Sequence, residues 1–158
     1  MLYAKPRHIF SRHYRLCSDE DCTDTLGTVT MSGFKEAAKA QIGDDEYRFL
    51  REKNMSGDFL LQAADGTILA RAEKPSMWKD QFRITFGELV FTLYRASKWK
   101  QNYTLAWQGE EAGMVATRRW FSNLVNVELP DSLPLEIRAF ILYLVVVMWR
   151  RASAAAAS

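Results

Sequence analysis

Pro134-Leu135-Glu136-Ile137-Arg138-Ala139-Phe140-Ile141-Leu142-Tyr143-Leu144-Val145-Val146-Val147-Met148-Trp149-Arg150-Arg151 is the stretch that decides the fold of this chain. Its ends carry helix signals. Asp131 or Ser132 can cap the start, Pro134 suits a first turn, and Glu136 suits the positive end of the helix dipole. Arg150 and Arg151 suit the negative end. Three consecutive valines would also fit a strand, but the apolar run is too long for one. From Ala139 to Trp149 no face is polar, whereas a surface helix shows a polar stripe. A membrane-spanning helix needs about 20 apolar residues, and this run is closed off by Arg138 before it and Arg150 after it. The segment therefore predicts a helix surrounded by protein on every side, with a short tail anchor as the competing reading.

The rest of the chain supplies the enclosure. From residue 47 onward apolar and polar residues alternate with period two, as strands require. Phe59-Leu60-Leu61-Gln62-Ala63 runs into Asp65-Gly66, a hairpin signal, and out through Ile68-Leu69-Ala70-Arg71-Ala72. Phe82, Ile84 and Phe86 share a face before the Gly87-Glu88 turn, and Leu89, Phe91 and Leu93 follow it. Tyr103, Leu105 and Trp107 precede Gly109-Glu110-Glu111, and the runs Met114 to Thr117 and Val125 to Leu129 complete the series. Earlier, Ile9 to Leu16 and Leu26 to Met31 read as strands, and Phe34 to Gln41 as a short helix or turn. Such a meander closes into a sandwich or barrel. A helix is about 10–12 Å across, and an eight-stranded barrel has room only for its own side chains. Counted from residue 9, the period-two runs number about ten, which suits a wider barrel threaded by a helix.

Composition narrows the class. At 158 residues one domain is expected, residues 152–158 being a low-complexity tail that extends the helix or is disordered. Aromatic residues make up 13%, a high share that suits pleated, β-lined cores. The net charge is only +2, so nucleic-acid binding would need a local patch instead of a global field. Cys17 and Cys22 with His8 and His13 make a poor zinc set, the cysteine spacing being loose, and two free thiols in a reducing compartment are expected instead. No apolar run follows the basic residues of the N-terminus, which points to the cytoplasm.

The order of these pieces resembles a known superfamily. Asp58-Phe59-Leu60-Leu61 through Asp65-Gly66-Thr67-Ile68-Leu69-Ala70-Arg71-Ala72-Glu73-Lys74 is similar to a strand–turn–strand of the tubby-like, LURP-one-related and phospholipid-scramblase proteins. So is Gly113-Met114-Val115 leading to Arg118-Arg119-Trp120-Phe121-Ser122, then Val125-Asn126-Val127-Glu128-Leu129-Pro130 and an apolar C-terminal helix. The resemblance implies a mostly-β fold, a closed antiparallel barrel of about a dozen strands around a central hydrophobic helix. It leaves function open. Tubby proteins bind phosphoinositide headgroups through exterior basic residues, but the tubby headgroup motif matches no stretch here. The cysteine-rich lipidation run and calcium loop of scramblases are missing too, and fold does not carry function.

Catalytic signatures are lacking: there is no G-x-S-x-G, no phosphate-cradling glycine loop and no H-E-x-x-H. The carboxylate pairs Asp44-Asp45 and Glu110-Glu111 sit where turns are expected, and solvated acids are common there. No enzyme, cofactor or metal is expected. Three groups mix cations with rings: Arg118-Arg119-Trp120-Phe121 in an expected loop, Lys98-Trp99-Lys100 between two strands, and Lys74, Trp78, Lys79 and Arg83 around Pro75. Rings at headgroup depth beside Lys or Arg suit an anionic membrane surface. Stacking on single-stranded nucleic acid is the weaker fit. The plain alternative is that Trp78, Trp99 and Trp120 cover the barrel ends. The sequence thus nominates Arg118, Arg119, Trp120, Lys98 and Lys100 as a ligand site for anionic phospholipid. A protein-interaction scaffold without a lipid role is the competing function.

Overall fold

A computed structural model of the chain describes residues 1–7, 12–33, 35–53, 57–76, 78–119 and 122–158, with the side chains of all but Arg118, Arg119 and Ser122. Among these residues twelve strands close into one antiparallel barrel in sequence order, β12 pairing with β1. The strands are β1 (Leu2–Pro6), β2 (His13–Cys17), β3 (Thr25–Met31), β4 (Ala38–Ile42), β5 (Asp45–Arg51), β6 (Phe59–Ala63), β7 (Ile68–Glu73), β8 (Gln81–Phe86), β9 (Leu89–Arg95), β10 (Tyr103–Trp107), β11 (Glu110–Arg119) and β12 (Ser122–Glu128). The helix α1 (Leu135–Ala156) runs through the middle. Its length and mean hydropathy of 1.5 would let it cross a membrane, yet Ile137 and Ala139 through Met148 are buried inside the barrel.

Alternation explains the packing. Met31, Ala38, Phe49, Leu61 and Ala70 pair across five strands as one inward row, all buried. The neighbouring row of Thr30, Lys39, Arg48 and Gln62 faces outward. The helix lies nearest β4, where the inward residues are the small Ala38 and Ala40. Aromatic rings fasten it elsewhere. Phe140 and Tyr143 stack at 5.9 Å, and Phe49 sits 5.6 Å from the first and 5.2 Å from the second. The Tyr143 hydroxyl donates to the backbone oxygen of Glu36 at 2.6 Å. Gly113 is needed where it stands, because a Cβ there would strike the Glu128 carbonyl of the neighbouring strand.

Since successive strands are antiparallel, their connections alternate between the two ends. At the end where α1 begins, β4–β5, β8–β9 and β10–β11 are joined by two residues each, and Gly87 (φ 57°) supplies the left-handed conformation such turns require. This is called here the turn end. At the opposite loop end four connections are long, residues 32–37, 52–58, 74–80 and 96–102. The helix leaves through the loop end, where Arg150 donates to the Ser32 carbonyl and Trp149 to the Gln101 carbonyl.

Several expectations need correction. Phe34 to Gln41 is not helical: β4 occupies Ala38–Ile42, its inward alanines and outward Lys39 and Gln41 showing that strand pairing overrides helical propensity; Phe34 lies outside the described residues. The N-terminal strand β1 escaped notice because its outward Tyr3 is aromatic and its inward Ala4 small, which hides the alternation, and β2 begins at His13, residues 9–11 lying outside the description. Cys17 and Cys22 are joined in a disulfide, not free, and so are closed to a zinc set; His8 lies outside the described residues. Neither Asp131 nor Ser132 caps α1, which has no side-chain cap; Asp131 instead accepts a hydrogen bond from Arg138 at 3.4 Å. The tail continues the helix to Ala156, placing Arg150 and Arg151 before its last turn.

Two outcomes follow from this core. Phe140→Ala leaves a cavity at a fully buried site and should lower the unfolding free energy by roughly 3–5 kcal/mol in urea titrations. Burial, aided by Asp80, pushes the Tyr103 phenol up to about 12, and burial with Glu36 raises Tyr143 as well. Unfolded phenols ionise near 10, so above that pH the unfolded state binds fewer protons. Stability should then fall by up to about 1.4 kcal/mol per pH unit for each ring, measured by denaturation between about pH 10 and 12.

Candidate functional site

The loop end gathers the residues nominated by sequence. Lys98 and Lys100 are exposed in the β9–β10 connection, and Trp99 between them is 95% exposed. The β7–β8 connection lies alongside, because β8 and β9 pair and Arg95 donates its backbone N–H to the Asp80 carbonyl. It carries Lys74, Lys79 and Trp78, the last also 95% exposed. These two rings do not cover the barrel end, contrary to the plain alternative. Trp149 does part of that work from the helix, through its bond to Gln101 at 2.8 Å. Arg118 and Arg119 are the last residues of β11, a strand and not the expected loop, and they reach the same end; their side chains and all of Trp120 lie outside the described residues. Arg83 belongs to β8 and pairs with Glu73, so it is not part of the cluster.

The exposure of Trp99 is built, not incidental. Arg95 donates from Nε to the Lys100 carbonyl at 2.8 Å and from Nη2 to the Lys98 carbonyl at 2.7 Å, while its Nη1 reaches Asp80 at 3.4 Å. Ser97 accepts from the Trp99 backbone N–H at 3.2 Å, and Trp149 holds Gln101. One guanidinium thus ties both connections together and presents the lysines and rings outward. Between the connections lies a cleft of about 290 Å³ lined by Trp78, Lys79, Asp80, Arg95 and Lys98 among others. The larger cleft of about 410 Å³ opens on the barrel wall beside β3, β4 and β5, and has only Lys39 and Arg48 as cations, the latter 3.9 Å from Glu46.

Charges separate along the barrel axis. At the loop end the carboxylates are Glu36, Glu52, Asp58, Glu73 and Asp80, and each meets an arginine. Glu36 is shared by Arg51 and Arg151, and Arg71 bridges Glu52 at 2.8 Å and Asp58 at 3.0 Å. Those two hydrogen bonds, Glu52 first, hold Arg71 even more firmly protonated than usual. By contrast, among the described residues Lys35, Lys53, Lys74, Lys79, Lys98 and Lys100 make no ion pair. The remaining carboxylates lie in turn-end connections, in the adjoining strand residues or in the first turn of α1. Asp19 there sits below the usual carboxylate range, chiefly because the Thr23 and Asp24 backbone N–H groups donate to it. Among the described residues no three of His, Cys, Asp and Glu gather as a metal would need.

Comparison with family models, curated proteins and solved structures returned no match. The sequence had singled out Lys98 and Lys100, and it had noticed Trp78 and Lys79 without joining them to the same site. The role of Arg95 had no signal, since it depends on which connections the topology places side by side.

Arg95→Ala should release the 96–102 connection. Amide hydrogen exchange at residues 98–101 is expected to quicken by at least tenfold while the strand amides keep their protection, as read by mass spectrometry or NMR.

Proposed function

We propose that the protein is a non-enzymatic binding module that docks on anionic lipid headgroups through the connections of its loop end. The observation that carries this reading is the pair Trp78 and Trp99, each 95% exposed on adjoining connections that bear Lys74, Lys79, Lys98 and Lys100. An exposed indole is at home at headgroup depth, and unpaired lysines meet lipid phosphates there. Arg118 and Arg119 end a strand at the same place and add to its positive charge, with Trp120 next in sequence. The likeness to the tubby-like superfamily, seen in the sequence, accords with a barrel around a helix.

The proposed location is peripheral to a membrane whose surface carries anionic lipid. The Cys17–Cys22 disulfide weighs against a reducing cytosol. A scaffold function is the second reading. A closed barrel offers no free strand edge for augmentation, which leaves such a partner only the barrel wall and the connections.

Flotation with vesicles tests the proposal. The protein should float with phosphatidylserine-containing vesicles at low salt, not with neutral ones, and detach as salt rises. Lys98→Ala/Lys100→Ala should remove about 2 kcal/mol, or roughly 30-fold in affinity, and Arg118→Ala/Arg119→Ala should weaken binding further. No flotation under any condition would sink the lipid reading. A stable oligomer or protein complex at micromolar concentration would then favour the scaffold.

A further inference from the structure

We infer, resting on the lipid-binding reading above, that the barrel docks end-on: its loop end meets the anionic bilayer, its acidic turn end points away, and the last turn of α1 is aimed at the lipid. The net charge of +2 is too small to hold the protein to a membrane if spread evenly. It is not spread evenly. Arg51, Arg71, Arg83, Arg95 and Arg151 are matched to its five carboxylates, so its six unpaired lysines stand as surplus positive charge. The turn end carries Asp19, Asp21, Asp44, Asp45, Glu110 and Glu111, among other acids.

Separation makes the partition effective. The enclosed part of α1, Ile137 to Met148, rises about 18 Å, which is roughly two Debye lengths at physiological salt. A bilayer at the loop end is screened from the acids. A bilayer at the turn end is repelled by them, and one laid along the barrel wall comes within their reach. The large exposed rings agree with this direction: Trp78 and Trp99 stand at the loop end, whereas Trp107, 42% exposed, marks the turn end beside the Gln108-Gly109 turn. The segment from Ala152 to Ser158, exposed beyond the loop end, carries no side-chain charge.

The test is tryptophan quenching by vesicles of phosphatidylserine and bromine-labelled phosphatidylcholine, at saturating lipid, with flotation run on the same samples. Wild type, Trp78→Phe/Trp99→Phe and Trp107→Phe are compared; all the replaced rings are exposed, and Trp120 and Trp149 are common to the three. Trp107→Phe should keep the wild-type quenched intensity, and Trp78→Phe/Trp99→Phe should lose at least half of it. Glu110→Gln/Glu111→Gln should bind within about twofold of wild type, since screened acids contribute little. Quenching lost on replacing Trp107 would overturn the inference in favour of inverted docking. Equal losses in both variants, or tenfold tighter binding of the glutamine variant, would overturn it in favour of side-on docking. If none of the proteins floats, the lipid reading itself fails and the inference with it; floating with the wrong quenching pattern defeats the orientation alone.

Discussion

An apolar helix without a polar face is the constraint on which the rest of this structure depends. Burying Ala139 to Met148 on one side only would leave the other sides of the helix in water, at a cost of about 25 cal/mol for each Å² of apolar surface. Complete enclosure removes that cost, and it fixes the architecture. The sheet must close, its strands must be numerous enough to admit a helix, and the residues facing inward must leave room. Twelve strands and the inward alanines of β4 and β7 meet these demands. Closure also abolishes the strand edges that would otherwise invite aggregation.

The same enclosure makes the two ends chemically different. A helix that begins at one end and leaves through the other must be held at its exit, and the long connections there do so with backbone carbonyls at Ser32, Glu36 and Gln101. The turn end has no comparable duty and is closed largely by short glycine turns. Short turns favour Asp, Asn and Gly, which partly explains why acids gather there. The long connections were free to take aromatic and basic residues. Charge separation in a protein of nearly zero net charge thus grows out of turn chemistry and helix exit together.

Much of this was legible in the chain. The period-two alternation from Tyr47 to Leu129 and the uniform hydrophobicity after Ala139 were enough to predict a barrel threaded by a helix. What escaped was local. Phe34 to Gln41 is written in helix formers, and only pairing with β3 and β5 reveals Ala38 and Ala40 as inward strand residues. In β1 the inward residues are Leu2 and the small Ala4 while the outward Tyr3 is itself aromatic, so no alternation shows. Cysteine spacing did not disclose that Cys17, the last residue of β2, would meet Cys22 of the following connection at a Cα separation of 5.1 Å. For the site, cation–ring neighbours such as Lys98-Trp99-Lys100 were visible in the linear sequence. Their union with Trp78 and Lys79 was not, because neighbours across two connections are set by strand order.

The division of labour between arginine and lysine at the loop end bears on how that face works. Every carboxylate there is met by an arginine, whose planar fork can hold an acid and backbone carbonyls at once, as Arg95 does. Locked in this way, the arginines act as structure and cancel local negative charge. The lysines are left on flexible stems with compact charges, able to move without disturbing the fold, as the proposed headgroup contact would require. Swapping the two residue types would keep the net charge and lose both properties. Lysine in place of Arg95 could not span three acceptors with one planar fork, and the connection that holds the indole of Trp99 in water would lose its tie to Asp80 and to the Lys98 and Lys100 carbonyls.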